Sequence, residues 1–114
     1  MALALSPAQA LNLWHDASLA QVRDGGPDLS TRQMTILLTI YMAPPPHTIR
    51  ALAKKLAVTK PVITRALDAM GKLDLVTRRR DDADRRNVLV QRTVKGSLYL
   101  ERLADMISAV AKGL

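Results

Sequence analysis

Two short helical segments separated by only three residues constrain the fold of this chain more than any other feature. Thr48 and Thr59 each stand directly before an apolar-periodic segment, where a threonine hydroxyl can cap a helix. The segments are Ile49–Leu56 and Lys60–Leu73, joined by the turn at 57–59. Two helices with so tight a turn are typical of a helix-turn-helix.

A β-hairpin is predicted directly after these helices. Leu75–Arg79 and Val88–Arg92 are short and rich in β-branched residues, and the polar loop 80–86 lies between them. Thr93 then caps a further helix. This order predicts a winged helix-turn-helix, a mainly α fold in which the hairpin forms a small wing of two or three strands.

Two more helices are predicted ahead of this segment. Ser6 caps a helix over Pro7–Asp24, which Gly25–Gly26–Pro27 ends. Ser30 is followed three residues later by a glutamine, the spacing of a capping box, and begins a second helix over 31–42. A run of three prolines ends that helix.

The length of 114 residues indicates one winged-helix domain. We expect residues 1–28 to form an N-terminal helix and linker, 29–92 the winged helix-turn-helix, and 93–114 a C-terminal helix for dimerisation. Helical spacing of apolar residues predicts the buried faces. They are Met34, Leu37, Leu38 and Tyr41; then Leu52, Ala53 and Leu56; and then Ile63, Ala66, Leu67 and Met70. The last helix carries a long apolar stripe of Leu98, Leu103, Met106, Ile107 and Val110.

Positive charge is concentrated in one part of the chain. The formal net charge is +7, and residues 48–95 alone carry +8. A solvated surface with no anionic partner would spread its charge, so this concentration favours a polyanion such as duplex DNA. A basic surface that binds no anion is the alternative.

The second helix of the helix-turn-helix has a polar face that suits DNA. Lys60, Pro61, Thr64 and Arg65 lie opposite its apolar residues, near the end that a recognition helix presents to base edges. A plain solvated face is the alternative. In the hairpin loop, the aspartates are expected to orient the arginines so that Arg85 and Arg86 project outward. These aspartates are Asp81, Asp82 and Asp84.

Catalysis is not expected. The sequence has no cysteine, no glycine-rich phosphate loop and no cluster of metal ligands, and His15 and His47 lie far apart. We therefore expect no enzyme, no cofactor and no metal site. No apolar run approaches the roughly 18 residues of a membrane span, and Met1–Leu5 lacks a basic leader, so we expect a cytoplasmic protein.

The sequence resembles the MarR family of winged helix-turn-helix transcriptional regulators over roughly residues 29–96. The resemblance is carried by five segments in a fixed order and spacing. They are Leu29–Ser30–Thr31–Arg32–Gln33, Leu52–Ala53, Val58–Thr59–Lys60–Pro61–Val62–Ile63–Thr64–Arg65, Leu75–Val76–Thr77–Arg78, and Asp84–Arg85–Arg86 followed by Thr93–Val94–Lys95–Gly96.

The resemblance implies a homodimer that binds a pseudo-palindromic DNA site, often represses transcription and often responds to a small ligand. It implies that Thr59, Lys60, Pro61, Thr64 and Arg65 face the major groove. It further implies that Arg85 and Arg86 lie at the wing, with Arg86 entering the minor groove. Arg80, at the start of the hairpin loop, is a further candidate for DNA contact from the loop sequence itself. Asp84 would brace the wing by pairing with Arg78 or with a wing arginine.

Three features depart from the family pattern. Asp74 stands where a glycine usually precedes the wing, and Arg92 replaces an apolar residue before Thr93. Family members usually have a further C-terminal helix, so 7–24 and 93–114 would supply the dimer interface. Two alternatives to a specific regulator therefore stay open: a winged-helix protein-interaction module, and a non-specific DNA-binding accessory protein.

Overall fold

The computed structural model describes residues 4–114 and shows the expected winged-helix architecture. The prediction from Met1–Leu5 depends on residues 1–3, which lie outside the described part. The described part has five α-helices and three β-strands. These are α1 Pro7–Asp24, α2 Thr31–Met42, β1 His47–Thr48, α3 Ile49–Leu56, α4 Lys60–Lys72, β2 Val76–Arg80, β3 Val88–Arg92 and α5 Val94–Ala111.

The chain forms two compact units. The winged unit, residues 29–100, holds α2, α3, α4, all three strands and the first residues of α5. The helical unit holds α1 and residues 101–114. In the helical unit Ala17 and Leu103 are buried, and the Asp24 carboxylate accepts two hydrogen bonds from the Arg102 guanidinium. No helix within residues 4–114 is long and apolar enough to cross a membrane.

Serine capping boxes begin the first two helices. The Ser6 hydroxyl accepts the Gln9 N–H, and the Gln9 side chain accepts the Ser6 N–H. Ser30 and Gln33 make the same reciprocal pair, at 2.9 and 3.0 Å, which confirms the predicted capping box.

The three threonines at the later helix starts behave differently. Thr48 and Thr93 accept backbone N–H groups three residues on, from Ala51 and Gly96, as expected. Thr59 occupies the N-cap position, but its side chain makes no capping hydrogen bond. The prediction that it caps α4 through its hydroxyl is therefore wrong, and that exposed hydroxyl stays available for another partner.

The buried face of α4 is the predicted one, and that of α2 is not. Ile63, Ala66, Leu67 and Met70 are all buried. In α2 the fully buried residues are Ile36, Leu37 and Ile40, whereas Met34, Leu38 and Tyr41 are only half-buried. The helix is rotated relative to the prediction because Ile36 and Ile40 enter the core, which leaves Tyr41 at its edge.

The predicted stripe on α5 is buried only in part. Leu103 is buried, and Met106 and Val110 are half-buried. Leu98 and Ile107 are exposed instead. Part of the apolar stripe on α5 therefore stays exposed in the isolated chain.

Two helices of the winged unit end in left-handed residues that are not glycine. Asp74 follows α4 with φ of 58°, and Ala57 follows α3 with φ of 56°. The Asp74 N–H donates to the Gly71 carbonyl and the Leu75 N–H to the Met70 carbonyl, both at 3.0 Å. This is a Schellman ending in which aspartate takes the usual place of glycine, and α4 ends at Lys72, one residue before the prediction.

The three strands form an antiparallel sheet in the order β1-β3-β2. At the base of the wing Val76 pairs with Arg92, and near the tip Arg80 pairs with Val88. β1 adds His47 opposite Val90 on the other edge of β3. β2 begins one residue later than predicted, because Leu75 belongs to the Schellman ending.

Candidate nucleic-acid interface

The N-terminal half of α4 presents an exposed polar surface. Thr59, Lys60, Pro61 and Arg65 are exposed and Thr64 is half-buried. Within residues 4–114 neither Lys60 nor Arg65 takes part in an ion pair or a side-chain hydrogen bond. Their charges are therefore free to meet an anion, while the opposite face of the same helix anchors it in the core.

At the tip of the wing, the Asp84 carboxylate accepts two parallel hydrogen bonds from the Arg86 guanidinium, an arrangement that we call the clamp. Arg86 Nε and Nη2 each donate to the Asp84 carboxylate at 3.0 Å, and the Arg86 backbone N–H donates to it at 3.1 Å. The side-chain bond from Arg86 lowers the pKa of Asp84, and the same bond raises the pKa of Arg86. The Arg86 side chain remains 86% exposed, so the clamp orients it without hiding it.

The other loop arginines are placed differently. Arg80 Nη1 donates a hydrogen bond to the Arg85 carbonyl at 3.1 Å, and this bond connects the end of β2 to the other side of the loop. The Arg85 side chain is exposed and forms no ion pair with a described residue. Asp81 accepts the Ala83 N–H, so it shapes the turn.

Arg78 braces the wing through a partner that the sequence did not indicate. Asp84 pairs with Arg86, one of the two arrangements expected. Arg78 Nη2 instead lies 2.8 Å from Asp68 Oδ1, which joins β2 to α4. An ion pair between a helix and a strand depends on tertiary packing, which local spacing does not show.

A cluster of polar contacts, which we call the base cluster, lies where the hairpin begins and ends. The Tyr41 hydroxyl donates to the Leu75 carbonyl at 2.8 Å and accepts the Thr93 N–H at 2.9 Å. The Thr93 hydroxyl donates to the Asp74 carbonyl at 2.7 Å and accepts the Gly96 N–H. The base cluster consists of these five residues and Arg92, and Tyr41 had been predicted only as a core residue.

Arg92 extends the base cluster to the end of α2. Its Nε and Nη2 donate to the Ile40 and Ala43 carbonyls at 2.9 and 3.1 Å. Its guanidinium carbon lies 5.8 Å from the Tyr41 ring centroid, within cation–π range. The departure noted at this position therefore has a physical role: the arginine satisfies carbonyls that the last turn of a helix leaves free.

An open cavity of about 580 Å³ lies beside the helix-turn-helix. Its lining includes two cations, Arg32 and Lys55, and the apolar side chains of Leu56 and Val58. Three threonines complete the lining: Thr31, Thr35 and Thr39. The hydroxyls of Thr35 and Thr39 donate to carbonyls of their own helix.

Charge is divided unequally between the two units. Residues 29–100 contain 14 basic and five acidic side chains, a net charge of +9, and the rest of the chain has a net charge of −2. The positive excess therefore belongs to the unit that carries α4 and the wing. That is the distribution expected of a surface that meets a polyanion.

Comparison with known families decides the identity. The MarR family model matches residues 29–88, more than half of the chain. The chain belongs to the MarR family. The matched region extends from the residue before the α2 cap to the first residue of β3, so it includes α4 and the wing tip.

Solved structures show the same fold as this MarR-family chain. The transcriptional regulator Tm0710 from Thermotoga maritima is 22% identical with a TM-score of 0.75, and the match covers 91% of this chain and 70% of that one. The S. aureus MepR–DNA complex is 19% identical with a TM-score of 0.77, covering 91% and 82%. The transcriptional repressor CouR, bound to a 23-mer DNA duplex, is 25% identical with a TM-score of 0.71, covering 87% and 67%. Comparison with curated protein sequences gives no match.

Proposed function

We propose that this MarR-family protein is a sequence-specific DNA-binding regulator of transcription that acts as a homodimeric repressor in the cytoplasm. The observation that carries the proposal is the surface of the winged unit. Lys60 and Arg65 are exposed on α4 and have no ion-pair partner among residues 4–114, and the wing presents an Arg86 that is held by Asp84 but exposed. Similarity to the repressor CouR and to MepR, whose structures contain DNA, supports the same conclusion.

In this proposal α4 reads the major groove. Thr59, Lys60, Pro61, Thr64 and Arg65 face the DNA, and Arg65 contacts base edges. The free Thr59 hydroxyl adds a donor to phosphate or base, since no capping bond occupies it.

The wing would contact the neighbouring minor groove. Asp84 takes Arg86 Nε and one hydrogen of Nη2, which leaves the other end of the guanidinium for the groove. Arg80 and Arg85 would meet phosphates on either side. Arginine in a narrow minor groove responds to groove shape more than to base identity.

Residues 7–24 and 93–114 would supply the dimer interface, with 29–92 contacting DNA. Leu11 and Trp14 are 71% and 72% exposed, and Val22 and Ile107 are exposed as well. Large apolar side chains left in water favour burial against a second subunit. A two-fold dimer of this kind would bind half-sites about 10 bp apart.

Selection from random DNA with the purified protein at physiological salt tests the proposal. We expect the retained sequences to contain an inverted repeat, because two α4 helices related by a two-fold axis read the same bases on opposite strands. Retention without a common motif would indicate a non-specific accessory protein. Failure to retain DNA would favour the protein-interaction module.

Charge-removing variants then test the roles of individual side chains. Arg65→Ala should weaken binding to the selected site by about 1–3 kcal/mol and change binding to a shuffled duplex much less. Arg86→Ala should weaken binding most at sites with A·T-rich flanks. Lys72→Ala, which removes one exposed charge from the last turn of α4, far from its N-terminal half, is the matched control and should change neither. Equal losses on both duplexes for Arg65→Ala would refute its role in reading bases.

A further inference from the structure

We propose that Tyr41 and Thr93 are positioning residues for DNA recognition: they fix the angle between α4 and the wing. This inference depends on the proposed function, because the angle matters only if both elements enter DNA grooves together. Neither residue is expected to touch DNA.

The base cluster lies where the hairpin joins the helices before and after it. Asp74 and Leu75 form the junction from α4 to β2, and Arg92 and Thr93 form the junction from β3 to α5. The Tyr41 hydroxyl contacts both junctions at once, through the Leu75 carbonyl and the Thr93 N–H. Both ends of the hairpin are therefore fastened to a single side-chain oxygen from α2.

Thr93 connects the same two junctions through its side chain. Its hydroxyl accepts the Gly96 N–H, which starts α5, and donates to the Asp74 carbonyl, which follows α4. The carbonyl of Asp74 belongs to a left-handed residue, whose conformation already fixes the direction in which the chain leaves the helix. The hydroxyl therefore holds the end of α4 against the start of α5.

A small rotation at the base of the wing would produce a large displacement at its tip. β2 is five residues long, so the wing extends about 16 Å from its base. A rotation of about 10° at the base would move the tip by about 3 Å, several times the tolerance of about 0.5 Å for a preorganised contact. Arg86 would then miss a groove that α4 had already aligned. The Arg78–Asp68 ion pair resists this rotation only partway along the strand, and it is half-exposed.

Arg92 supports Tyr41 in this role. Its guanidinium lies over the tyrosine ring while it binds two carbonyls at the end of α2. The ring is therefore held from one side by Arg92, and its hydroxyl is held at the other end by the two junctions. Removing the hydroxyl alone, by Tyr41→Phe, leaves the Arg92 contact in place and isolates the effect of the hydrogen bonds.

The test compares two isosteric pairs by fluorescence anisotropy, on the selected DNA site and on a shuffled duplex. Tyr41→Phe and Thr93→Val remove one hydroxyl each, whereas Thr93→Ser keeps it. We expect Tyr41→Phe and Thr93→Val to reduce the preference for the selected site by about tenfold, with little change in binding to the shuffled duplex. Thr93→Ser should keep the wild-type preference. The two hydroxyl-removing variants should also lose the preference for A·T-rich flanks that Arg86 provides.

A matched destabilised variant separates positioning from general stability. Leu29→Ala trims a half-buried residue packed on the core and removes none of these hydrogen bonds. At a temperature well below its melting transition it should keep the wild-type preference, even where its loss of stability equals that of Tyr41→Phe. If Leu29→Ala loses the preference equally, or if Tyr41→Phe keeps it, the positioning role is refuted.

Amide hydrogen exchange on the DNA-free protein distinguishes failure of this inference from failure of the proposed function. Tyr41→Phe and Thr93→Val should speed exchange at the junctions and along the hairpin, and Leu29→Ala should not. If wild-type protein shows no sequence preference, the proposed function fails, and unchanged exchange would refute the base cluster as the anchor of the wing. Faster exchange with an unaltered DNA preference would also refute the positioning role.

Discussion

Replacing Gly96 by alanine should destabilise the winged unit strongly. A Cβ at this position would overlap the Tyr41 hydroxyl oxygen and the Leu75 carbonyl oxygen, and would lie 2.7 Å from Tyr41 Cζ. Ordinary van der Waals contacts of a Cβ begin at 3.4 Å. One of the atoms in the way belongs to the backbone, so the strain cannot be relieved by a side-chain rotation alone.

The magnitude follows from two costs. Forcing a methyl group into a packed site costs about 1–3 kcal/mol. Moving the Tyr41 ring away would break its bonds to Leu75 and Thr93, and each buried polar group left unsatisfied costs a further 1–3 kcal/mol or so. Moving the ring relieves part of the steric cost, so the two costs do not add in full, and we expect a total of about 3–5 kcal/mol in the free energy of unfolding. For a domain of this size that lowers the melting temperature by roughly 12–20 °C.

Thermal unfolding followed by circular dichroism provides the measurement, with Gly71→Ala as matched control. Gly71 lies in α4, and a Cβ there would meet nothing within 4 Å. That variant should gain up to about 1 kcal/mol, because alanine favours the helix over glycine. Adding Tyr41→Phe to Gly96→Ala should recover part of the loss, since it removes the overlapping hydroxyl. If Gly96→Ala melts like the wild type, the close approach at Gly96 is refuted.

Three further predictions concern single contacts. Ala57→Gly should raise the free energy of unfolding by about 0.5–1 kcal/mol, because φ of 56° strains alanine, and an unchanged urea midpoint would contradict this. The pKa of Asp84 is lowered in the folded protein. Its hydrogen bonds to Arg86 are therefore fully present above about pH 4, the ordinary pKa of an aspartate, and are lost only as the pH falls through the lowered pKa of the folded state. Flank-dependent binding should therefore be unchanged between pH 7 and 5 in the wild type, and Asp84→Asn should weaken it at both pH values. Asp68→Asn should cost less than about 1 kcal/mol in urea unfolding, since its pair with Arg78 is half-exposed, and a double-mutant cycle with Arg78→Gln measures that coupling.

Most helix boundaries could be predicted because they depend on neighbours in sequence. The capping boxes at Ser6 and Ser30 join residues three apart, and the ends of α1 and α3 agree with the prediction to the residue. Asp74 takes a left-handed conformation, which a short polar side chain tolerates better than most. The strands of the wing were located to within one residue, since their β-branched composition is local.

The candidate site divides in the same way. The polar face of α4 follows from helical spacing, and its exposure agrees with the expectation for Lys60 and Arg65. The sequence analysis expected Asp84 to pair with Arg78 or with a wing arginine. Only the structure selects Arg86 as its partner, because Arg78 pairs with Asp68 instead. The contacts of α4 and of the wing arginines with DNA remain a prediction.

By itself, then, the sequence determined the order of the helices and of the two hairpin strands, the serine capping boxes, the apolar face of α4 and the concentration of charge, because each can be read along the chain without knowledge of the packing. The tertiary structure alone decided the role of Tyr41, which contacts Leu75 and Thr93 across 34 and 52 positions of the chain. It also decided why Arg92 is tolerated and why position 96 has no room for a side chain. Such contacts depend on how α2 is rotated against the core, and a one-dimensional pattern that assigned Met34 and Leu38 to the interior could not fix that rotation.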